Sequence, residues 1–549
     1  MDDFVAHRDL RVSTTAVCRQ QETIQCRIIA SSTGVGETPQ MAPPTSSPAP
    51  ARPPAPASGL LAAIDIGSNS FHLLVAAANH GELRPLEARG EKVQLAAGLH
   101  DGQLDSQAIA RGLETLSRFR QVLDALQPQA VRVVGTNTLR AAKNARAFTL
   151  PAQELLGYPV EIVAGREEAR LIYLGVAHSQ ADDDVARLVA DIGGGSTELI
   201  IGERFEARIL ESLHMGCVGY QQRFFPDGTI TAERFERAYQ AAYLELLNIR
   251  EDFRSYGWSD CVGSSGTFLA LADILSAQNW ARGTITGDGL RELRKLLIAR
   301  GHSDKLAGIG GLKSARQGVI AAGTAIACAI IDALDIDEMR ASSGALREGV
   351  IYDLIGRLQH EDVRERTVNA LLKRSALPEV HARRVEQVAD SLFAQVKHTL
   401  GLGRQHRELL RWAARLHEIG LTISHSQFHK HGQYILQNAD LAGFSRETQR
   451  LLAALVRGHR RKFPRSLVET FPDEQVQILT NLCVLLRLAV LFKYASPLDG
   501  MPALRIEATP GNYRLRFPED WLNRHPLTAA EIDQERQYLA QAGLSLTLE

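Results

Sequence analysis

The sequence predicts an α/β protein built from two copies of one domain, followed by a mainly helical region. Two stretches, "AAIDIGSNSFHLLVA" and "VADIGGGSTELIIG", each have the pattern of a strand, a small-residue turn with hydroxyls and a second strand. Their aspartates, Asp65 and Asp191, lie 126 residues apart, and two later glycines, Gly135 and Gly263, lie 128 residues apart. Two motif pairs at nearly one separation predict duplication of a whole domain. The alternative is two unrelated units of strand, turn and strand.

The other elements of each copy are predicted from hydrophobic periodicity and capping residues. Asp105 is predicted to cap an amphipathic helix whose apolar residues face the core: Ile109, Leu113, Leu116, Phe119 and Leu123. The strand "VRVVGT", a helix from about residue 138, the strand "VEIVAG" and the helix "REEARLIYLGVAH" come next. The second copy repeats this order with the strands "LVADIGGG" and "TELIIGE", helices at about 231–254, and "CVGSSGT".

The composition is that of a globular protein with several domains. Of the 549 residues, 45% are hydrophobic and 23% are charged, which is enough apolar material for large cores. The net charge of −1 provides no overall attraction to nucleic acid or to an anionic membrane, so we expect no nucleic-acid partner. The six cysteines are scattered without a CxxC pair and predict reduced thiols in a cytoplasmic protein.

Residues 1–58 differ in composition from the rest of the chain. The stretch "MAPPTSSPAPARPPAPAS" contains seven prolines and almost nothing that could form a core, so residues 1–58 are predicted to be disordered. Residues 1–40 also fit a translated upstream region, with Met41 nearer the start. The longest charge-free apolar run, at 318–331, is shorter than the roughly 20 residues of a membrane helix. We therefore expect a buried core helix there and no transmembrane segment.

The two small-residue turns have the chemistry of a phosphate site. Glycine lets backbone N–H groups approach an anion closely, and neighbouring hydroxyls add further donors. The aspartates at the ends of the preceding strands are placed to hold a divalent cation that screens the phosphates. Two such domains facing each other would form a cleft with a phosphate turn on each wall. One glycine-rich turn alone would be weak support, but two related copies strengthen the prediction.

The arrangement resembles the actin, sugar-kinase and chaperone-ATPase superfamily, which implies two actin-like (ribonuclease H-like) domains at about 59–182 and 183–358. Within it, "GTNTLRAAKNA", "GREEARLIYLG", "VGSSGT" and "SSGALREGVIYDL" are similar to motifs of the exopolyphosphatase/guanosine pentaphosphate phosphatase family. The similarity covers about residues 60–358 in order and continues less sharply beyond them. It implies hydrolysis of a terminal phosphoanhydride with a divalent cation, usually Mg²⁺.

The resemblance leaves several activities open. Inorganic polyphosphate is the favoured substrate, and guanosine pentaphosphate (pppGpp), from which the 5′ γ-phosphate would be removed, is the alternative. A protein that binds polyphosphate or (p)ppGpp without hydrolysing it is a rival of another class, and a kinase of the same fold is a third. Retention of Glu168, Asp191 and Glu198, which match acidic positions of the family, favours hydrolysis over binding alone. The Glu-Glu pair in "GREEARL" and the "SNSFH" turn favour hydrolysis over a kinase activity.

The resemblance also implies roles for individual residues. Glu168 matches the catalytic base, whereas its neighbour Glu167 is predicted to be a solvated residue of the first helical turn. The implied phosphate ligands are Gly67, Ser68, Asn69, Ser70, Arg140, Gly193, Gly194, Gly195 and Ser196. Gly263, Ser264 and Gly266 match the position where kinase relatives hold adenosine, and they are predicted to contact either a chain of phosphates or a guanine nucleotide. Metal and water positions are implied for Asp65, Asp191 and Glu198, with an outward-facing strand residue as the alternative for Glu198. Arg347 and Glu348 match a family motif and fit an interdomain salt bridge equally well.

The chain becomes mainly helical from about residue 362. His381, the pair His417–Glu418 and "HKHGQYIL" have the order of a metal-dependent HD phosphohydrolase domain, but Val490 stands where such domains often have their last aspartate. Because valine cannot ligate a cation, residues 362–500 are interpreted as a degraded HD-like module for binding and homodimerisation. Its basic side chains are interpreted as a channel for a polyanion or as a solvated surface: His429, Lys430, His431, His459, Arg460, Arg461 and Lys462. Residues 501–549 are predicted to form a small α+β piece with one hairpin.

Overall fold

A computed structural model describes residues 59–79, 82–180, 185–359, 362–375, 377, 379–492 and 504–549. The predicted disorder of residues 1–58 lies outside this part of the chain. The strands are β1 (Leu60–Ile66), β2 (Ser70–Asn79), β3 (Glu82–Lys92), β4 (Leu99–His100), β5 (Gln103–Leu104), β6 (Ala130–Gly135), β7 (Val160–Ile162), β8 (Ala186–Ile192), β9 (Thr197–Glu203), β10 (Glu206–Leu213), β11 (Asp260–Ser264), β12 (Thr284–Thr286), β13 (Glu338–Ala341), β14 (Arg505–Thr509), β15 (Asn512–Arg516) and β16 (Ser545–Leu548).

The helices connect and flank these strands, and the last nine of them belong to the C-terminal region. They are α1 (Ser106–Leu126), α2 (Asn137–Ala141), α3 (Arg146–Leu156), α4 (Gly165–Ala177), α5 (Cys217–Phe224), α6 (Ala232–Tyr256), α7 (Ser265–Ala277), α8 (Gly287–Arg300), α9 (Ile320–Leu334), α10 (Leu346–Leu358), α11 (Val363–Ser375), α12 (Glu379–Val396), α13 (Arg404–Leu416), α14 (Phe428–Asn438), α15 (Arg446–Gly458), α16 (Arg465–Val468), α17 (Asp473–Leu491), α18 (Trp521–Arg524) and α19 (Pro526–Ala540).

The two main sheets repeat one topology. The first has the order β3-β2-β1-β6-β7, and the second has the order β10-β9-β8-β11-β13-β12. In each, three antiparallel strands precede a strand that pairs in parallel with the first of them. Asp65 and Asp191 occupy matching places, since they pair with His72 and Glu198 on the antiparallel side. The predicted duplication is therefore confirmed, and the two aspartates are its equivalent positions.

Helices α4 and α10 pack against each other and join the two sheets. Their apolar side chains share one core with residues of β1, β2, β8 and β9, among them Leu61, Ile172, Val189, Ile200 and Val350. Helix α10 lies at the end of the predicted second domain, yet it packs on α4 and on β1 of the first. This shared core sets the positions of the two phosphate turns relative to each other.

Local predictions inside the two domains agree with the structure. The carboxylate of Asp105 accepts a hydrogen bond from the backbone N–H of Ala108 at 2.6 Å, so it caps α1 as predicted. Leu116, Phe119 and Leu123 are buried, and the other two predicted core residues of α1 pack against the same cluster. Helix α9 contains the long apolar run, and every residue from Ile320 to Leu334 except Asp332 is buried. The prediction of a core helix at this run is confirmed.

The C-terminal region folds around one core. The predicted hairpin is β14 with β15, and β16 adds to β15 in parallel, as expected from "LSLTL". Apolar residues of this small sheet belong to the same cluster as those of the helices, so the piece at 501–549 shares its core with 362–500. Buried polar contacts join the two parts as well. Arg487 of α17 pairs with Glu535 of α19 and the Tyr513 hydroxyl donates to Asn481 at 2.7 Å.

Among the described helices, α17 is long and apolar enough by composition to meet the criteria for a membrane span. Of the apolar stretch of α17, 56% is buried inside the protein, where the helix packs against α12, α13 and α15. A core helix passes the same test, so this one helix is weak support for a membrane span. The described cysteines, Cys217, Cys261, Cys328 and Cys483, are buried free thiols.

Candidate functional site

A cavity of about 260 Å³ lies between the two main sheets, where β1 and β8 end. Most of the predicted site residues line it together: Asp65, Gly67, Ser68, Asn69, Ser70, Glu168, Asp191, Gly193, Gly194, Gly195, Ser196 and Gly266. They come from both sheets and from α4, so residues separated by as many as 201 positions meet at one place. The structure therefore brings both phosphate turns and the proposed base into one cleft.

The backbone of the second turn is oriented by α5. The carbonyl of Gly193 accepts a hydrogen bond from Cys217 N–H, and that of Gly194 accepts one from Val218 N–H, each at 2.9 Å. In a trans peptide the C=O and the following N–H point in opposite directions. The N–H groups of Gly194 and Gly195 therefore point away from α5, towards the cleft. This is the arrangement that an anion needs from a glycine-rich turn.

The two turns approach each other closely across the cleft. A Cβ atom added to Gly194 would lie 3.0 Å from Cβ of Ser68 and 3.3 Å from the backbone nitrogen of Asn69. A Cβ atom on Gly195 would lie 3.3 Å from the Ser68 hydroxyl oxygen. That hydroxyl in turn accepts a hydrogen bond from Thr138 at 2.8 Å. Glycine is required here by close approach, and a phosphate group bound in the cavity beside this contact would lie next to both domains.

Glu168 lies in the first turn of α4 and is only 7% exposed. Its carboxylate forms an ion pair with the guanidinium of Arg140, which also donates to the Val163 carbonyl at 3.2 Å. Arg140 is absent from the cavity lining and stands behind Glu168. In this structure the arginine predicted as a phosphate ligand therefore holds the proposed base.

Three further carboxylates surround this position, and burial raises the pKa of each. Burial and then the charge of Glu168 raise the pKa of Asp65 to about 8. Burial raises the pKa of Asp191 to about 7, and the charge of Glu168 adds to the rise. Glu198 is 1% exposed, and burial followed by repulsion from Glu168 and Asp191 raises its pKa well above the usual value. The alternative of an outward-facing Glu198 is wrong, because its side chain lies inside and accepts a hydrogen bond from Ser212 at 2.8 Å.

The donor chemistry of these carboxylates fits a hard divalent cation. One carboxylate oxygen of Asp65 is buried and has no protein hydrogen-bond partner, which is a position that a cation or its water would satisfy. Within the described residues, no three His, Cys, Asp or Glu side chains are close enough to hold a metal ion on their own. Mg²⁺ is usually bound by one or two carboxylates, water and substrate phosphates, so the residues present fit this ion.

Removing the charge of Asp65 should change how stability depends on pH. The folded-state pKa of about 8 lies above the ordinary value of 3.8, so the folded protein retains a proton that the unfolded chain releases. Stability is therefore lost as the pH rises from about 4 to about 8. We expect Asp65→Asn to match the wild type in melting temperature near pH 4.5 and to exceed it by about 5 °C at pH 8 in EDTA.

Differential scanning fluorimetry from pH 4.5 to 8.5 measures this difference directly. Asp124→Asn is the matched control, because Asp124 is 58% exposed and pairs with Arg120 on the surface of α1. Its melting-temperature difference from the wild type should stay constant with pH. A flat difference for Asp65→Asn as well would contradict the burial of a charged carboxyl at this site.

Two arginines of the cleft carry positive charge into it, and one of them has no motif in the sequence. Arg316 lines the cavity, and its guanidinium occupies the space where a Cβ on Gly266 would stand. Arg347, from the motif "GALREG", also lines it and lies 3.4 Å from a ring nitrogen of His72. Burial lowers the pKa of His72 to about 4, so the ring is neutral near these arginines. Arg316 lies in the segment that connects α8 to α9.

Two of the predicted phosphate ligands lie behind the cavity wall. A Cβ on Gly263 would lie 2.6 Å from the Phe268 ring and 2.8 Å from the Met339 sulfur, so packing already requires glycine there. The Ser264 hydroxyl donates to the Gly344 carbonyl at 3.0 Å and is completely buried. Of the "VGSSGT" segment, Ser265 and Gly266 reach the cavity.

Glu167 differs from its prediction. It is 4% exposed and forms a bidentate ion pair with Arg170 at 2.8 Å. The prediction of a solvated first-turn residue is wrong, because the C-terminal region covers this face of α4. A sequence pattern local to α4 does not contain that contact.

Three histidines of the C-terminal region are buried, namely His417, His429 and His459. The Nδ1 atoms of His417 and His459 lie 2.7 and 2.6 Å from the backbone carbonyls of Ala414 and Val456. The rings of His417 and His459 pack edge to face, with centroids 5.3 Å apart. Val490 lies at another cavity with Arg460 and Arg461. The degraded HD-like character of this region stays a prediction.

The chain is similar to a known protein family and to several solved structures. A sequence profile of the Ppx/GppA phosphatase family matches residues 74–358, and one of domain III of that family matches residues 363–536. The solved structure of the Aquifex aeolicus PPX-GPPA enzyme is 27% identical, with a TM-score of 0.46, over 53% of this chain and 98% of its own. An exopolyphosphatase from Cytophaga hutchinsonii is 24% identical, with a TM-score of 0.49, over 54% and 97%. An exopolyphosphatase-like protein is 22% identical, with a TM-score of 0.50, over 55% and 99%.

The duplicated sheets and the cleft between them place the chain among proteins of the actin-like fold. The profile matches identify the family within this fold, because the first of them covers just over half of the chain. The chain belongs to the Ppx/GppA phosphatase family, in its long form with domain III.

Proposed function

We propose that this chain is a Mg²⁺-dependent exopolyphosphatase, which releases orthophosphate from the end of inorganic polyphosphate. The observation that supports this most directly is the meeting of two phosphate turns with Glu168 in one cleft. A phosphoanhydride end that enters the cavity beside the contact of the two turns receives N–H groups from Gly194 and Gly195 on one side. Ser68 and Asn69 lie on the other side. Arg316 and Arg347 offset the charge of the rest of the chain of phosphates.

In this proposal Glu168 accepts a proton from the attacking water. Water is a poor nucleophile, and a positioned carboxylate near it contributes to in-line attack on phosphorus. Arg140 orients the carboxylate through their ion pair. Asp65, Asp191 and Glu198 would hold Mg²⁺, directly or through water, and the ion would supply positive charge beside the phosphate oxygens.

Polyphosphate is preferred over pppGpp because the C-terminal region offers positive charge beyond the cleft. Arg457 and Arg460 are partly buried and Arg446 is exposed, and loss of hydration lowers the pKa of each. A chain of phosphates that leaves the cleft would neutralise such side chains. The pppGpp 5′-phosphohydrolase is retained as the alternative, and a binding protein without turnover or a kinase as further rivals. We also propose a cytoplasmic homodimer.

Phosphate release from long polyphosphate and from pppGpp, measured in parallel with Mg²⁺, tests these proposals. An exopolyphosphatase shows a kcat/KM for polyphosphate well above that for pppGpp, and the reverse order supports the alternative. Binding of either compound without phosphate release would identify a binding protein. Formation of ADP from ATP in the presence of an acceptor would identify a kinase.

Replacement of Asp191 tests the metal assignment separately from the base. Asp191→Asn keeps the shape of the side chain but removes a charged oxygen ligand. We therefore expect the Mg²⁺ concentration for half-maximal activity to rise by roughly tenfold or more. Titration of activity with Mg²⁺ at saturating substrate measures this. Asp288→Asn, at an aspartate 91% exposed on α8, serves as the control. An unchanged Mg²⁺ requirement in folded Asp191→Asn would remove Asp191 from the metal site.

A further inference from the structure

A short segment of the C-terminal region, residues 440–446, lies against the start of the helix that carries the proposed base. Ser445 forms an antiparallel bridge with Val163, just before α4. Gly443 N–H donates to the Glu167 carboxylate at 2.9 Å, and Arg446 donates to the backbone carbonyl of Arg140 at 3.5 Å. We refer to residues 440–446 as the docking segment.

Both polar groups of the Gly443 residue are used in this contact. Its carbonyl accepts a hydrogen bond from Arg357 of α10 at 3.1 Å, while its N–H donates to Glu167 of α4. Its φ of +84° lies in the left-handed region, and a Cβ atom there would lie 2.4 Å from the Val363 side chain. Glycine is therefore required twice, and the docking segment is held by α4 and α10 together.

The partner of Gly443 is itself held by buried charges. Glu167 forms its ion pair with Arg170, and Arg170 also contacts Asp353 at 2.5 Å. Asp353 accepts further hydrogen bonds from Arg132 of β6 and Arg357 of α10, each at 2.8 Å. A buried ion-pair network has strict geometry, because a misplaced charge would lose its partner in a medium of low polarity. The position of the Glu167 carboxylate is therefore well defined.

The same contacts reach the pair of Arg140 and Glu168. The Val163 carbonyl accepts from the Arg140 guanidinium at 3.2 Å, and Val163 is the residue that bridges to Ser445. The backbone of Arg140 accepts from Arg446 of the docking segment. Glu167 precedes Glu168 directly in α4. Residues 443–446 therefore contact Glu167, which precedes the base, and the backbone of Arg140, which pairs with the base. They also bridge to Val163, whose carbonyl binds the Arg140 side chain.

We propose that Glu167 is a positioning residue, which docks the C-terminal region through Gly443 and so sets the geometry of Arg140 and Glu168. This rests on the proposed function, because it takes Glu168 as the base. The C-terminal region thereby contributes to the rate of hydrolysis itself, in addition to any contact that it makes with the rest of the substrate. Hydrolysis of a short substrate confined to the cleft then depends on the docking segment.

Glu167→Gln tests this in the full-length protein. Glu167 Oε2 accepts from Arg170 and Gly443, and Oε1 accepts a second bond from Arg170. The amide cannot accept all three, because one of its two terminal atoms becomes a donor that faces either the Arg170 guanidinium or the Gly443 N–H. We expect kcat for tripolyphosphate to fall by roughly 10- to 100-fold, with KM changed less than threefold. Glu469→Gln is the matched control, since Glu469 is 57% exposed and pairs only with Arg465 on the surface of the C-terminal region. Its kcat should stay within twofold of the wild type.

A double-mutant comparison separates positioning from general destabilisation. If Glu167 acts through the base, adding Glu167→Gln to Glu168→Gln should not lower kcat further. An equal loss in both backgrounds would overturn the proposal, as would an unchanged kcat in folded Glu167→Gln. Where Glu167→Gln fails to fold, Arg446→Gln decides, because it removes the donor to the Arg140 carbonyl and leaves the buried network intact. Its kcat for tripolyphosphate should fall only in the background that retains Glu168.

The two possible failures are distinguishable in this design. If Glu168→Gln alone retains near wild-type turnover, the proposed function is wrong and the base lies elsewhere. If Glu168→Gln is inactive but Glu167→Gln and Arg446→Gln keep the wild-type kcat, the positioning role of the docking segment is wrong and the proposed function stands.

Discussion

Replacing Glu168 by glutamine should lower kcat by roughly 10²–10⁴-fold, because the amide cannot accept the proton of the attacking water. The change keeps the size of the side chain at a position that is only 7% exposed, so the fold should be retained. KM should stay constant or decrease. A negative charge in the cleft is removed, so its repulsion of the polyanionic substrate is lost.

Initial rates of phosphate release from tripolyphosphate and long polyphosphate, with saturating Mg²⁺, measure this effect. Glu114→Gln is the control, since Glu114 is 72% exposed on α1 and only pairs with Arg118 at the surface. It should behave as the wild type. A Glu168→Gln protein with native circular dichroism and near wild-type kcat would refute the assignment of the base.

Gly194→Val should weaken substrate binding itself, with kcat/KM lowered by about 100-fold or more. The first side-chain atom would already lie 3.0 Å from Cβ of Ser68, and the valine methyl groups would extend further into the space between the turns. The backbone at Gly194 is outside the left-handed region, so the effect is steric and involves no conformational strain. We expect the loss mainly in KM, in contrast to the loss in kcat for Glu168→Gln.

Gly219→Ala provides the matched control for this variant. Gly219 donates its N–H to the Gly194 carbonyl at 3.2 Å, but a Cβ atom on it would have no neighbour within 4 Å. Its KM for tripolyphosphate should equal that of the wild type. Isothermal titration of inorganic triphosphate into each folded variant, in the Glu168→Gln background, measures binding without turnover. Equal affinity in Gly194→Val and Gly219→Ala would show that the phosphate does not lie between the turns.

Features that depend on local pattern and on repetition could be predicted from the amino-acid sequence. The spacing of Asp65 and Asp191 predicts the duplication, and the two aspartates occupy equivalent strand positions in sheets of the same order. Asp105 predicts a helix start because a capping side chain bonds a backbone N–H only three residues away. The apolar run of α9 predicts burial because no polar face remains for solvent. Such features are set by neighbouring residues, so the linear order contains them.

Properties that depend on contacts between distant residues could not be predicted from the sequence and were seen only in the folded protein. Glu167 is of a residue type that is usually exposed in the first turn of a helix. It is buried here, and it accepts a hydrogen bond from Gly443, 276 positions later in the chain. Arg140 fits a phosphate ligand by motif, but its guanidinium reaches Glu168, 28 positions away. Arg316 has no motif and enters the cleft beside Gly266. Burial and charge pairing are set by the packing of whole domains, and this packing depends on side chains that are distant in sequence.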